Sequence, residues 1–219
     1  MIINETTNKK DKIRWGLTLA LGMLVVLWRV FLPTNVEITT GLVILVAVLD
    51  MVLTASLVFI NRQELKEAFQ KKFGIKGFLK FVLCCVLYLV YVNIQGIVIH
   101  FAEIELAPSP ASWVAEEFHR IFPLGLFIST AIAAPIWEEI AFRMAGQNLI
   151  KNKILFVLIT TLLFVFIHTG FALSTGLFYA LSGIGFAVIY LATKDIRIVI
   201  GVHFMWNLTM NLLSFFMQT

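Results

Sequence analysis

The chain has 219 residues, 60% of them hydrophobic and 14% charged, with a net charge of +4 and a mean hydropathy of +0.93. A soluble domain needs nearer a quarter of charged residues to face water, which excludes a soluble globular enzyme and points to an integral membrane protein. The positive charge is scattered over short polar segments instead of covering one face, so nucleic acid is excluded as a partner.

The first segment, Met1 to Arg14, is polar and carries Lys9, Lys10, Lys12 and Arg14 ahead of a long apolar run. It has the outline of a signal peptide. No small-residue cleavage site follows, however, and the run holds Trp28 and Arg29 before Pro33, so an uncleaved first span is expected. With about 20 apolar residues per crossing, the candidate spans are residues 15–32, 41–60, 78–100, 121–142, 154–172, 174–193 and 198–216. The predicted fold class is therefore all-α, a polytopic membrane helical bundle of about seven transmembrane helices. Residues 1–120 supply the N-terminal helices and a basic loop, residues 121–219 hold the candidate catalytic core, and both belong to one membrane domain.

Lysine and arginine set the expected orientation. The N-terminal tail and the segment 61–80, with Arg62, Lys66, Lys71, Lys72, Lys76 and Lys80, are basic, as are Lys151/Lys153 and Lys194/Arg197. The alternate segments 33–40 and 101–118 have no lysine or arginine. The N-terminus is expected in the cytoplasm and the C-terminus outside. Adjacent Cys84 and Cys85 lie in an apolar run without metal-ligand spacing and read as packing. Asn93 and Gln95 read as interhelical hydrogen bonders. Asp50, a carboxylate in mid-span, requires a partner or a proton. Gly176, Ala180, Gly183 and Ala187 place small residues on one face of the sixth span, a surface for close helix approach.

Chemistry concentrates in the last four spans. Glu138 and Glu139 stand together, and Glu139 shares a helix face with Arg143, four residues on, so that the two can form an ion pair. Glu138 points about 100° away, free for other work. Pro135, just before them, removes a backbone donor and can kink the helix. Phe164 and His168 are four apart on the fifth span, as are His203 and Asn207 on the last. Ionisable groups at membrane depth are costly and read as functional. Their depths do not match at first sight. Glu138 lies 13 residues before Lys151 and His168 15 after Lys153, roughly 20 Å in each case, whereas His203 is six residues after Arg197, roughly 9 Å. A loop Lys194–Arg197 that dips into the protein would close the gap.

Glu138-Glu139…Arg143, Phe164…His168 and His203…Asn207, on successive helices, resemble the motifs of the CAAX-protease and bacteriocin-processing family, also called the type II CAAX prenyl endopeptidase or Abi family. The resemblance covers residues 121–216, and Met144 departs from it where members commonly have glycine. It implies a metal-independent intramembrane endopeptidase without a cofactor, acting on a peptide or membrane-protein substrate within the lipid bilayer. On that pattern Glu138 with His168 activates water, His203 and Asn207 stabilise the oxyanion, and Glu139, Arg143 and Phe164 support them. Small members of this kind imply bacteriocin immunity or maturation of secreted peptides.

The residue types suit that chemistry. A carboxylate partly removed from water is a stronger base, and an oxyanion donor contributes about 3–4 kcal/mol in other proteases. The mechanistic alternative is zinc, since two histidines and a glutamate are ligand types. Against it, the histidines lie on separate helices and asparagine is a poor zinc ligand. A non-catalytic membrane partner that binds and regulates a sensor, transporter or peptide is the alternative from another class. A small transporter is weaker, because no inverted repeat is evident.

Overall fold

The computed structural model describes residues 9–29, 39–105, 116, 119–170 and 173–217, and among them every regular element is helical. In chain order these are α1 (Lys9–Arg29), α2 (Thr40–Ile60), α3 (Arg62–Gln70), α4 (Gly74–Phe101), α5 (Pro123–Leu149), α6 (Lys153–Thr169), α7 (Leu173–Thr193) and α8 (Ile196–Met217). Five of them, α2, α4, α5, α7 and α8, are long and apolar enough to cross a membrane. The sequence count was about seven. Helix α6 reaches only 17 residues, and the expected first span, 15–32, runs past Arg29 into residues outside those described. The remaining helix, α3, lies in the basic segment 61–80, where it buries Leu65.

Helix ends follow local chemistry. Thr39 caps α2 by accepting from the Leu42 amide at 3.3 Å. The side chain of Asn152 caps α6, accepting from the Ile154 and Leu155 amides at 2.9 and 3.1 Å, which satisfies amides that have no intrahelical partner. Helix α6 stops at Gly170, whose φ of +57° is left-handed and cheap for glycine. Helix α1 is tied to the end of α2 by a buried hydrogen bond from Asn61 Nδ2 to Thr18 Oγ1, 3.1 Å, and to α3 by an ion pair between Arg14 and Glu64.

Helix α5 is the centre of the bundle. Two thirds of it is buried inside the protein, against a third or less of the other four long apolar helices. Trp137, Ile140, Ala141 and Phe142 on it are fully enclosed, packed with Leu57 of α2, Phe164 of α6, Phe186 of α7 and Val202 of α8. Its path is irregular, with π-helical turns at Phe127–Ala133 and Glu139–Ala145 on either side of an α-helical piece, Ala134–Glu138. Pro135 accounts for the first. A proline in mid-helix has no N–H, and its ring collides with the carbonyl four residues back, so the backbone upstream widens. Gly22 of α1 lies so close to this helix that a Cβ there would stand 2.5 Å from Ala141 Cβ.

The expected small-residue face of α7 is a packing surface. Gly183 meets Thr161 and Phe164 of α6 at 3.3 Å from where its Cβ would be, and Gly176 meets Val165 at 3.4 Å. Gln95 Nε2 donates to Phe178 O across α4 and α7 at 2.9 Å, as expected. Asn93 differs, bonding back to Leu89 O of its own helix. Cys84 and Cys85 are free, half-buried thiols against the core.

Candidate functional site

Two of the expected residues, His168 and His203, face Glu138, which is 1% exposed. Its two oxygens face two imidazoles: Oε1 lies 3.8 Å from His168 Nε2, and Oε2 lies 3.9 Å from His203 Nε2. Both gaps exceed a direct hydrogen bond. Glu139, 0% exposed, pairs through Oε2 with Arg143 Nε at 3.3 Å and through Oε1 with His203 Nδ1 at 2.8 Å. The expected i, i+4 ion pair therefore forms, and a histidine from α8 shares its carboxylate.

The bonds at Nδ1 fix how each ring is presented. His168 Nδ1–H donates to Phe164 O, 2.8 Å away on the preceding turn, and His203 Nδ1–H donates to Glu139. In both, Nε2 is turned toward Glu138, an orientation set by the hydrogen bond at the other ring nitrogen. Ring stacking adds to this. Tyr179 stacks on His168 with centroids 4.4 Å apart, and Phe186 stacks on His203 at 4.2 Å. Arg143 donates from Nη2 to Gly183 O at 3.2 Å and stands 5.1 Å over the Phe164 ring. Phe164 thus touches both His168 and Arg143.

Sequence reasoning gave α7 no chemical part, yet Tyr179, Gly183 and Phe186 all serve the site. Their spacing of four and three, one helical face, was the available signal.

The depth mismatch closes at the α7–α8 turn. Lys194 Nζ donates to Gln147 Oε1 at 3.0 Å, which sets this turn beside α5 instead of beyond its end. Glu138 is nine residues from Gln147 and His203 nine from Lys194, so equal numbers of residues separate the two from this contact. Asp195 then starts α8, its Oδ1 accepting from the Arg197 amide at 3.1 Å while Oδ2 pairs with Arg197 Nη2 at 2.7 Å. Burial alone would raise the Asp195 carboxyl, but the hydrogen bonds and charge of Arg197 hold it below the usual carboxylate range.

Asn207 is placed differently from the imidazoles. Its Nδ2 donates to the backbone carbonyl of Thr130 on α5 at 2.8 Å. Asn211, one turn on, donates to Thr130 Oγ1 at 3.0 Å. Buried Asp50 of α2 accepts from Ser129 Oγ, the partner its mid-span position required. Among the described residues, no group of three or more His, Cys, Asp or Glu is arranged to hold a metal ion.

An all-helical bundle whose long apolar helices bury three carboxylates (Asp50, Glu138 and Glu139), a guanidinium and the His203 imidazole, with half-buried His168 beside them on α6, is a multi-pass membrane protein with a polar centre. Residues 120–209, the part of the chain that carries the three motifs, match the family model described as type II CAAX prenyl endopeptidase Rce1-like. The chain is similar to UPF0177 protein YaiH of Lactococcus lactis subsp. lactis, 32% identical over 99 residues, which are 45% of this chain and 42% of that protein. UPF0177 protein YvdC of the same organism is 29% identical over 94 residues, 42% of this chain and 36% of that protein. The aligned stretches span less than half the length of these curated relatives. No solved structure matches the chain significantly.

Proposed function

We propose that the chain is an intramembrane endopeptidase that hydrolyses a peptide bond with water activated by Glu138. The observation that carries this is the enclosed Glu138 carboxylate between two Nε2 atoms at 3.8 and 3.9 Å. In the proposed reaction a water seated between Glu138 and His168 gives its proton to the carboxylate as its oxygen attacks the substrate carbonyl. His203, as the imidazolium, donates Nε2–H to the oxygen that becomes negative, with Nδ1 anchored on Glu139. Collapse of the tetrahedral intermediate breaks the C–N bond, and Glu138 returns the proton to the departing amine. The Glu139–Arg143 pair stays intact and holds His203 in place. The substrate is a peptide or the C-terminal segment of a membrane-associated protein, in bacteriocin immunity or peptide maturation, and the N-terminus faces the cytoplasm.

The test is cleavage of fluorogenic peptides, with and without a C-terminal prenyl group, by purified protein in lipid nanodiscs. Wild type should cleave at the same rate with a strong chelator present, and Glu138→Gln should be inactive while unfolding at the wild-type temperature. Full activity of Glu138→Gln would remove the glutamate from the mechanism. Loss of activity on chelation, restored by Zn²⁺, would replace the proposed reaction with a zinc one in which both histidines are ligands.

A further inference from the structure

We infer that Asn207 is a positioning residue that acts together with Pro135, a reading that rests on the role proposed for Glu138. The geometry begins in the π-helical turn before the proline. There the Ala134 amide reaches back five residues to Ser129 O. The next carbonyl in that register, Thr130 O, falls to residue 135, which is proline and has no N–H to give. A carbonyl without a donor inside an apolar bundle is costly. Asn207 supplies the missing donor at 2.8 Å.

The clamp is broader than one bond. Asn211 Nδ2 donates both to Thr130 Oγ1 and to Asn207 O, at 3.0 and 2.7 Å, and Ser129 is bonded to Asp50. Two consecutive residues of the widened turn are thereby fastened, Thr130 to α8 and Ser129 to α2. Glu138 follows Pro135 by three residues on the same helix. If the turn closed to the ordinary four-residue register, every residue beyond it would rotate, by about 100° for one residue of slip. Glu138 would then leave both imidazoles. Pro135 opens the turn, Asn207 holds it open, and the pair aims the carboxylate. His203 and Asn207, one turn apart on α8, would thus act on two neighbouring parts of α5, through Glu139 and through Thr130 O.

A double-mutant cycle of Asn207→Ala and Pro135→Ala in nanodiscs tests this, read both by thermal unfolding and by turnover. Asn207→Ala alone should lower the unfolding temperature by roughly 3–8 °C, and should lower kcat about tenfold or more at little change in KM. With alanine at 135 a backbone N–H serves the carbonyl, so adding Asn207→Ala should then change neither quantity further. Equal losses from Asn207→Ala in both backgrounds would overturn the proposal and return Asn207 to the oxyanion. If Pro135→Ala does not fold, Asn207→Leu, of similar size and without a donor, decides: it should unfold as early as Asn207→Ala, and an unchanged unfolding temperature would overturn the clamp. The unfolding arm needs no turnover. Thermal coupling in a protein that cleaves nothing would refute the peptidase while keeping the clamp, and cleavage without coupling would do the reverse.

Discussion

Glu138 and Glu139 are chemically identical neighbours, and their surroundings give them different work. Glu139 is neutralised by Arg143 and bonded to His203, whereas Glu138 faces two Nε2 atoms at 3.8 and 3.9 Å, beyond direct hydrogen bonding. The two should therefore fail differently when substituted. Arg143→Leu strands a buried carboxylate, at about 3–5 kcal/mol, and should lower the unfolding temperature by roughly 10 °C or more, as differential scanning in detergent would record. Glu138→Gln should leave that temperature within about 2 °C. The division between the two was legible in the sequence, because i, i+4 spacing fixes which glutamate meets Arg143. The bond from Glu139 to His203 was not, since it spans 64 residues and depends on where a loop docks.

Element by element, periodicity located the spans, but their irregular turns and their relative depth depend on contacts that periodicity does not encode. Pro135 was visible as a break. Its outcome, a π-helical turn with an orphan carbonyl served by another helix, required knowing that Asn207 stands opposite. Likewise α7 read as packing alone, because stacking on His168 and His203 needs all three helices in place. The start of α8 carries a prediction of its own. Asp195 caps that helix and is held below its ordinary pKa, so its stabilising effect is complete above the unfolded carboxylate range and fades as pH falls through the lowered folded value. Asp195→Asn should flatten the acid side of a stability-against-pH curve. Asp195→Ala should cost about 1 kcal/mol at neutral pH through the lost cap, measured by thermal unfolding. A second contact of this scale is Gly22 against Ala141. Gly22→Val should lower stability by about 1–3 kcal/mol through overpacking, seen in the same measurement.

For the whole molecule, the charge pattern makes a prediction about sidedness. Helix α4, of 28 residues, separates the basic segment 61–80 from Glu103, so the two should lie on opposite faces of the membrane. In a Cys84→Ala/Cys85→Ala background, Gln70→Cys should react with an impermeant thiol reagent only after the membrane is opened, and Glu103→Cys should react in intact cells. External labelling of residue 70 would invert the arrangement.

The central place of α5 also bears on the order of assembly. It is the least apolar of the five long apolar helices and carries Glu138, Glu139 and Arg143, each about 2.5–3.5 kcal/mol unfavourable at the middle of an inserting segment. His168 and His203 are translated only afterwards. The pairing of Glu139 with Arg143 inside one helix neutralises two of the three charges before either histidine exists, and Gly22 on the already translated α1 offers a surface to receive the helix. The ion pair is thus a partner that α5 brings with it into the bilayer. Loss of Arg143 should accordingly show first as protein missing from the membrane fraction, ahead of any defect in a folded enzyme.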